Sequence, residues 1–268
     1  MKDKIVIITG ASSGIGKACA EVFAHAGSKV VLAARDAGKL GDIEVALKQH
    51  ADVISVVADV SKEGDCMNLI DATIKRFGKI DVLINNAGIS MRALFEEVDL
   101  KVIHRLMDTN FWGAVYCTKH ALPHLLKSKG SVVGMSSIAG KKGLPGRTGY
   151  SASKFALEGF LESLRIENLK NNLHVLVACP GFTASNIRQS SLTKDGNEQA
   201  ESPRDEQDMM QPDVVAKKIY NAVLNRKRDL VLTGNGKLTI WLNRLFPSLA
   251  DKAVYNHLSK EKDSPFKS

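Results

Sequence analysis

The chain has few of the residues that define several classes of protein. Only four of its 268 residues are cysteines, and no two of them form a CxxC pair. Neither a disulfide framework nor a zinc knuckle is therefore expected, and a reducing compartment fits best. Seven prolines and a hydrophobic content of 44% exclude collagen-like and disordered chains. We expect a globular protein whose core is large enough to need no staples.

Long apolar runs are also missing. No stretch approaches the roughly 18 uninterrupted apolar residues of a membrane-spanning helix. A strand-like run, residues 4–9, begins close to the first methionine and leaves no room for a signal or transit peptide. We therefore expect a soluble, cytoplasmic protein.

Negative charge is scarce at one end of the chain. The formal net charge is +8, and residues 217–268 carry eleven lysines and arginines against four acidic residues. No nucleic-acid-binding motif accompanies this basic tail, so no nucleic-acid partner is expected. A solvated basic face is the simplest interpretation. An anionic cofactor, a lipid surface or an acidic substrate remain the alternatives.

Short β-branched runs alternate with amphipathic helical patterns along the chain. Several runs are apolar on both faces, as strands buried in a parallel sheet are. Segments between them, such as 15–26 and 62–77, carry apolar residues at the three- and four-residue spacing of helices. The candidate strands cover residues 4–9, 29–34, 53–58, 81–84, 131–136, 173–178 and 230–232. The alternation predicts an α/β fold with a doubly wound, mostly parallel sheet of seven strands and helices on both faces.

One polar segment breaks this alternation. Residues 182–211 show little periodicity and follow the carboxyl end of a predicted strand. Ligands bind at that edge in open α/β sheets. We interpret the segment as a lid over the ligand, with plain surface disorder as the alternative.

The end of the chain has a character of its own. Residues 237–268 combine an apolar stripe, basic flanks and a tryptophan. We predict one catalytic domain over residues 1–236 and a basic amphipathic extension over residues 237–268. The extension is expected to pack on its own fold or on a partner subunit. A membrane surface, reached through residues 237–258, is the alternative.

Glycines and serines concentrate directly after the first predicted strand. The sequence of residues 9–16 is TGASSGIG, and a helix is predicted to follow. Glycine permits a tight turn and a close approach of the backbone to a diphosphate, which the N–H groups of a helix N-terminus can bind. The spacing differs from the GxGxxG fingerprint, and a structural turn would use similar residues. The placement between strand and helix favours a dinucleotide site formed by Gly10, Ser12, Ser13, Gly14, Ile15 and Gly16.

The residue after the second strand bears on the choice between NAD and NADP. An acidic residue there accepts a hydrogen bond from the ribose 2′-hydroxyl of NAD, whereas an arginine accommodates the 2′-phosphate of NADP. Arg35 occupies this position, and Asp36 is placed as a helix N-cap. The sequence therefore predicts NADP(H) as the cofactor, with a solvated loop arginine as the alternative.

Two further motifs are placed at the same edge of the sheet. NNAG, residues 85–88, follows the fourth strand, and YSASK opens a helix in which Tyr150 and Lys154 lie on one face. A tyrosine with its usual pKa of about 10 is a poor base at neutral pH, and a nearby cation lowers that pKa. Ser137 ends the fifth strand, where its hydroxyl can donate to a carbonyl oxygen.

With these motifs the chain resembles the short-chain dehydrogenase/reductase family, in its single-domain, NADP-preferring form, over residues 4–232. The resemblance implies the Rossmann-type version of the fold. It implies that Tyr150 is the general acid/base and that Lys154 binds the nicotinamide ribose and lowers the pKa of the tyrosine. Ser137 would polarise the substrate carbonyl, and Asn110 matches the asparagine that holds a proton-relay water.

The resemblance also implies contacts to the rest of the cofactor. The adenine contact corresponds to Asp59 and Val60, and the support of the cofactor pocket to Asn86 with Ala87 and Gly88. The loop that grips the nicotinamide carboxamide corresponds to Pro180, Gly181, Thr183 and Ser185. The chain departs from one NADP pattern of the family because Ser13 stands where a basic residue would be. The NADP prediction therefore depends on Arg35.

Together these residues predict an NADP(H)-dependent oxidoreductase that moves a hydride between the nicotinamide and a carbonyl or secondary alcohol. The candidate lining segments, 90–95, 138–146 and the predicted lid, predict an apolar pocket with a basic rim and a small apolar substrate. We expect a homodimer or homotetramer. The resemblance implies that no metal is needed, and His120 and His124 lack a third zinc ligand.

Two other functions remain open. One is a catalytically silent NADP-binding regulator on the same fold, which should lack part of the catalytic set. The other is a reductase of lipid-like substrates that works at a membrane surface through the extension.

Overall fold

A parallel sheet of seven strands forms the centre of the molecule, in the order β3-β2-β1-β4-β5-β6-β7. The structure is a computed structural model and describes residues 1–184, 187, 190–199, 209–260, 264 and 266. The strands are β1 Ile5–Thr9, β2 Lys29–Ala34, β3 Val53–Val57, β4 Val82–Asn85, β5 Ser131–Met135, β6 His174–Cys179 and β7 Asp229–Val231. The predicted strands agree with these to within one residue at each end, because residues buried on both faces form continuous apolar runs.

Helices cover both faces of this sheet. They are α1 Gly14–His25, α2 Ala37–Leu47, α3 Glu63–Phe77, α4 Leu100–Met107, α5 Gly113–Ser128, α6 Thr148–Glu167, α7 Pro212–Leu224, α8 Gly234–Leu245 and α9 Pro247–Leu258. One core cluster joins α1, α2 and α7 to the sheet, and a second joins α3, α5 and α6 to the opposite face. The prediction of a doubly wound α/β fold is confirmed.

The strand order creates a crevice at one edge of the sheet. From β1 the chain proceeds outward to β2 and β3, whereas from β4 it proceeds the other way to β5, β6 and β7. Ligands of open α/β sheets bind at the carboxyl ends of the strands where this reversal occurs. The turn after β1 and the NNAG motif after β4 therefore lie side by side.

The C-terminal helices α8 and α9 pack against the segment that follows β5. Lys142 donates a hydrogen bond to Asn243 (2.8 Å) and forms an ion pair with Asp251. Asn243 in turn donates to the backbone carbonyl of Lys141 (3.3 Å). The extension thus packs on its own fold, and α8 begins at Gly234, before the predicted boundary. None of the described helices is long and apolar enough to cross a membrane.

The predicted lid is anchored where the structure describes it. Leu192 exchanges backbone hydrogen bonds with the segment after β4, because its N–H donates to Ser90 and its carbonyl accepts from Arg92, both at 2.9 Å. Leu192 is also buried in a small cluster with Tyr150. Residues 185, 186, 188, 189 and 200–208 of the predicted lid lie outside the described residues. The proposed motion of the segment stays a prediction.

Candidate active site

The glycine-rich turn after β1 is held against the end of β4 by close backbone packing. Gly10 and Gly14 have φ angles of +64° and +54°, a conformation that favours glycine. A Cβ atom at Gly10 would lie 2.8 Å from the Cα of Ala87. A Cβ atom at Gly16 would lie 2.5 Å from the side-chain amide nitrogen of Asn86. Side chains at these two positions would therefore separate the turn from β4.

Asn86 and Thr9 join the two elements with hydrogen bonds. The Asn86 amide donates to the carbonyls of Thr9 (2.9 Å) and Gly10 (3.2 Å). The Thr9 hydroxyl oxygen accepts from the backbone N–H groups of Asn86 and Ala87, each at 3.0 Å. Asn86 thus supports the turn, as the sequence predicts. Thr9 was not predicted as a site residue, although it is the first residue of the TGASSGIG motif.

A cavity of about 750 Å³ lies over this turn. The predicted cofactor residues that line it are Gly10, Ser12, Ser13, Gly14, Ile15, Arg35, Asp59, Val60, Asn86, Ala87 and Gly88. The first turn of α1 contains no acidic residue, and the side chain of its N-cap, Ser13, makes no capping hydrogen bond. The helix N-terminus therefore offers backbone donors and a positive dipole end to an anion. These residues fit a dinucleotide.

Basic and polar side chains surround the outer end of this cavity. Arg35 and Lys39 both line it, and the Lys39 ammonium lies 3.3 Å from the carboxylate of Asp36. Asp36 caps α2 by accepting a hydrogen bond from the backbone of Lys39 (3.0 Å), as predicted. One carboxylate oxygen of Asp59 accepts from the backbone and hydroxyl of Ser61. The cations lie where the fold receives the adenosine ribose.

A second cavity, of about 1060 Å³, contains three of the four predicted catalytic residues, Ser137, Tyr150 and Lys154. It shares the lining residues Ile15, Asn86, Gly88 and Ile187 with the first cavity, so the two cavities adjoin. Its lining also includes Pro180, Gly181 and Thr183. The Thr183 hydroxyl donates to the carbonyl of Gly181 (3.2 Å). Ser185 lies outside the described residues.

The fourth residue, Asn110, lies beneath Gly88. It belongs to a π-helical turn, Asp108–Trp112, between α4 and α5. Its amide nitrogen donates to the Ile89 carbonyl and to the Ser153 hydroxyl, both at 2.9 Å, and its side-chain oxygen accepts from the Ile89 N–H (2.8 Å). A Cβ atom at Gly88 would lie 3.1 Å from Asn110 Oδ1 and 3.4 Å from Lys154 Nζ. Asn110 and Lys154 therefore meet at Gly88.

Ser137 and Tyr150 meet across the second cavity. Ser137 lies two residues beyond the end of β5 and caps a 3₁₀ turn, Ile138–Gly140, with its hydroxyl accepting from the Ala139 N–H (3.2 Å). Ser137 and Tyr150 both line the second cavity, and the Ser137 hydroxyl lies close enough to the phenol to favour its ionised form and lower its pKa. This pair forms a hydroxyl surface on which a substrate oxygen can be held.

The pKa of Tyr150 differs from the expectation. Burial raises it above its usual range, and this effect outweighs the hydrogen bond with Ser137 and the positive charge of Arg147, which both lower it. Lys154 donates a hydrogen bond to the Met135 carbonyl (2.8 Å), and burial lowers the pKa of its ammonium to about 8. The prediction that Lys154 depresses the pKa of Tyr150 is therefore not met in this structure. Desolvation of the phenol decides the direction.

Several polar residues of the site were missed by the sequence reasoning. Ser153 donates to the Tyr150 carbonyl (2.8 Å) and accepts from Asn110, so it joins α6 to the π-helical turn. Arg147 lines the second cavity and donates to the Ser90 hydroxyl (3.0 Å). Glu158 lies one helical turn after Lys154 and contacts the Ser137 turn. Ser153 stands within the YSASK motif, whereas Glu158 is identified only by contacts between distant segments.

The walls of the second cavity are largely apolar, as predicted. Helices α8 and α9 contribute its outer wall, through Leu238, Leu242, Ala250, Ala253, Val254 and Leu258. Ser90, Ile138 and Leu144 contribute from the predicted lining segments, and Arg147 and His257 supply basic groups. None of the described lining residues is acidic. The cavity therefore suits an apolar molecule.

In the part of the chain that the structure describes, no group of three or more His, Cys, Asp or Glu side chains could hold a metal ion. His120 lies 3.3 Å from a carboxylate oxygen of Glu63.

Comparisons with known proteins identify similar sequences. A family model for short chain dehydrogenases matches residues 4–196. The chain is 35% identical over 270 residues to dehydrogenase/reductase SDR family member 7B of Danio rerio, covering 97% of this chain and 87% of the relative.

Solved structures of similar proteins superpose on the chain over most of its length. A short chain dehydrogenase/reductase from Burkholderia phymatum in complex with NAD superposes with a TM-score of 0.83 at 26% identity, over 92% of this chain and 95% of the other. An alcohol dehydrogenase from the archaeon Thermococcus sibiricus, complexed with 5-hydroxy-NADP, superposes with a TM-score of 0.74 at 25% identity, over 86% and 96%. The chain belongs to the short chain dehydrogenase family, whose members are oxidoreductases that use a nicotinamide dinucleotide.

Proposed function

We propose that this protein is an NADP(H)-dependent oxidoreductase that transfers a hydride between the nicotinamide and a carbonyl or secondary alcohol of an apolar substrate. The observation that carries the proposal is that the two cavities adjoin along common lining residues, which include Ile15, Asn86 and Gly88. It allows a dinucleotide over the glycine-rich turn to extend to the Ser137–Tyr150 pair.

The preference for NADP(H) is supported by charge at the outer end of the first cavity. Arg35 and Lys39 both line that end, and the residue directly after β2 is Arg35 rather than a carboxylate. An arginine there accommodates a 2′-phosphate. The related solved structures include one with NAD and one with 5-hydroxy-NADP, so resemblance alone does not decide between the cofactors.

The catalytic roles follow from the chemistry of the hydroxyl pair. A bound nicotinamide supplies or accepts the hydride. In the direction of reduction, Ser137 and Tyr150 hydrogen-bond to the carbonyl oxygen, and the phenol proton passes to that oxygen as the alcohol forms. A phenol with its usual pKa of about 10 is already protonated at neutral pH, and burial raises the pKa of Tyr150 further, so the residue is in the form that reduction needs. Lys154 and Asn110 meet at Gly88, beside the shared part of the cavities.

The substrate class is supported by the walls of the second cavity. Its volume of about 1060 Å³ and its apolar lining from α8 and α9 suit a molecule with a sizeable hydrocarbon body. We test the proposal with a panel of apolar ketones and secondary alcohols, following NADPH or NADP⁺ by absorbance. Turnover should rise with the apolar area of the substrate and be faster with NADPH than with NADH.

Two results would contradict this proposal. Equal rates with short polar and long apolar substrates would contradict the proposal that the second cavity selects apolar substrates. NADPH binding without turnover of any panel member would favour the silent regulator instead. The chain retains Asn110, Ser137, Tyr150 and Lys154, which is the reason that we favour catalysis.

A second candidate function, work at a membrane surface, is favoured by one observation on α8 and α9. Five large apolar residues on α8, at the junction of the two helices and in the first turn of α9 are each more than half exposed: Leu238, Trp241, Leu245, Phe246 and Leu249. We call this set the outer apolar face. The exposed cations on the same helices are Lys237, Arg244 and Lys252, and their one carboxylate, Asp251, pairs with Lys142.

Charge favours an anionic lipid surface over a second copy of the chain for this face. A symmetric dimer through the face would bring its basic flanks together, and like charges repel. Anionic lipids attract such cations, and apolar side chains beside them enter the boundary of the acyl chains. Leu238 both belongs to the face and lines the cavity, so a lipid-like substrate would enter from the membrane.

The membrane candidate is tested by flotation of the full chain with phosphatidylcholine vesicles, with and without phosphatidylglycerol. Binding should require the anionic lipid, weaken with salt, and be lost in Trp241→Ser/Leu245→Ser. Val45→Ser, at an exposed position of α2, is the matched control. The absence of binding to anionic vesicles favours the expected cytoplasmic enzyme. A wild-type dimer that the double variant converts to monomer would assign the face to a subunit interface.

A further inference from the structure

Glu158 lies in a buried polar cluster behind the active site. One of its carboxylate oxygens accepts a hydrogen bond from the Ser136 hydroxyl (2.5 Å) and from the Cys179 thiol (3.6 Å). The other oxygen lies 2.6 Å from the ammonium of Lys141. The Glu158 side chain is only 11% exposed. The catalytic chemistry described above does not use this carboxylate.

These contacts join three segments that hold the reacting groups. Ser136 directly precedes Ser137, and Lys141 directly follows the 3₁₀ turn that Ser137 caps. Cys179 ends β6 and directly precedes the loop that begins with Pro180. Glu158 itself lies on α6, one turn beyond Lys154. The Glu158 carboxylate therefore contacts both the segment that carries Ser137 and the end of β6, which leads into the loop that begins with Pro180.

The packing around the carboxylate leaves no space for a side chain between these segments. A Cβ atom at Gly140 would lie 2.5 Å from Glu158 Oε1 and 3.1 Å from the Lys154 carbonyl. The 3₁₀ turn therefore lies directly on α6 at the level of Lys154 and Glu158. A buried carboxylate is retained only where several donors satisfy it, and here it has three.

We propose that Glu158 is a positioning residue: its carboxylate fixes the Ser137 turn against α6 and supplies a negative charge one helical turn beyond Lys154. This inference rests on the proposed function, because it assigns a role to Glu158 in the binding of the cofactor and in the placement of Ser137. The charge of Glu158 raises the pKa of Lys154, against the larger lowering by burial.

Other charged and titratable groups also face this cluster. Cys179, at the end of β6, favours the protonated form of Lys154. Lys141 forms an ion pair with Glu158, and Asp229 at the start of β7 favours the protonated form of Lys141. Tyr150 lies one turn before Lys154, with the ammonium 5.7 Å from the centre of its ring. The experiment therefore removes the charge of Glu158 alone and leaves all these other groups unchanged.

The test compares Glu158→Gln with the wild type in NADPH affinity against pH, measured by fluorescence titration. The neutral amide no longer favours the charged form of Lys154, so Lys154 loses its proton at a lower pH. Affinity for NADPH, which depends on the ammonium, should therefore fall at a lower pH than in the wild type. This measurement does not depend on a substrate.

Turnover separates the two parts of the role. Ser136→Ala removes one hydrogen bond to the carboxylate and keeps its charge, so kcat should fall by about tenfold or more while the pH profile of NADPH affinity stays in place. Glu158→Asp keeps the charge but shortens the reach, and should behave in the same way. Glu162→Gln is the matched control, because Glu162 is exposed on the same helix and pairs with Arg228 at 2.8 Å.

The outcomes distinguish this inference from the proposed function. An unchanged affinity profile in a folded Glu158→Gln variant, with kcat like that of the wild type, overturns the role of Glu158. A Glu158→Asp variant with a profile shifted like that of Glu158→Gln also overturns it, because then the charge is not the cause. A wild type that binds NADPH but turns over no substrate contradicts the proposed function and leaves the affinity measurement intact.

Discussion

At the scale of single residues, burial decides the protonation of the reacting groups. Tyr150 is 8% exposed and Lys154 is 3% exposed. Desolvation disfavours the charged form of each, so the pKa of the phenol rises and that of the ammonium falls to about 8. The sequence identifies both residues from the YSASK motif. The sequence could not give the direction in which the pKa of the tyrosine shifts, because desolvation depends on the helices that cover the pair.

The first prediction concerns the choice of cofactor. Arg35→Asp should reverse or remove the preference for NADPH over NADH. A guanidinium on a phosphate is a charge-assisted contact worth roughly 1.5–3 kcal/mol, which is on the order of ten- to a hundredfold in affinity. Aspartate would repel the 2′-phosphate and could accept a hydrogen bond from a 2′-hydroxyl.

Fluorescence titration of both cofactors against both proteins measures this effect. Lys39→Gln serves as a comparison at the same end of the cavity, with a smaller expected loss of NADPH affinity because Lys39 also pairs with Asp36. Equal wild-type affinities, or an Arg35→Asp variant that still prefers NADPH, would mean that Arg35 is only a loop residue.

At the scale of elements, the apolar pattern predicts the strands well and the polar connections poorly. Runs such as Ile5–Thr9 are buried throughout, so composition alone locates them. The π-helical turn Asp108–Trp112 has no such signature, because an irregular hydrogen-bonding pattern leaves little trace in hydrophobic spacing. The contacts of Glu158 to Ser136, Lys141 and Cys179 depend on the packing of α6 on β5 and β6, which local spacing does not encode.

The second prediction concerns the segment 182–211. We expect fast amide exchange over much of the segment without ligand and slower exchange with cofactor and substrate, as for loops that close over ligands. The Leu192 amide is an internal reference, because its hydrogen bond to Ser90 predicts slow exchange in both states. Hydrogen–deuterium exchange with and without NADPH measures this. Equal protection along the whole segment in both states would make it a fixed surface feature.

At the scale of the whole molecule, the sheet order places the two functional motifs at one crevice. TGASSGIG follows β1 and NNAG follows β4, and these strands are neighbours although α1, β2, α2, β3 and α3 lie between them along the chain. Alternation of strands and helices predicts this arrangement, since right-handed crossovers leave few alternatives. The position of α8 and α9 over the second cavity was not predictable in the same way, because the apolar stripe fits its own fold, a partner or a membrane equally well.

The third prediction concerns stability. A ligand that binds only the folded state stabilises it by about 2.7 kcal/mol at a concentration a hundred times its Kd. For a chain of this size that corresponds to a rise in Tm of about 5–10 °C. NADPH should therefore raise the Tm more than NADH does at the same concentration. Thermal unfolding with each cofactor measures this, and equal shifts would contradict the preference for NADPH.

Tyr150→Phe tests the central claim most directly. The variant keeps the ring and its packing and removes only the transferable proton. Affinity for NADPH, measured by fluorescence titration, should stay close to that of the wild type, while kcat for carbonyl reduction falls by at least the roughly 10²–10⁴-fold typical of the loss of a general acid. Turnover by the variant within about threefold of the wild type, a loss far below that range, would contradict the assignment of Tyr150 as the proton donor.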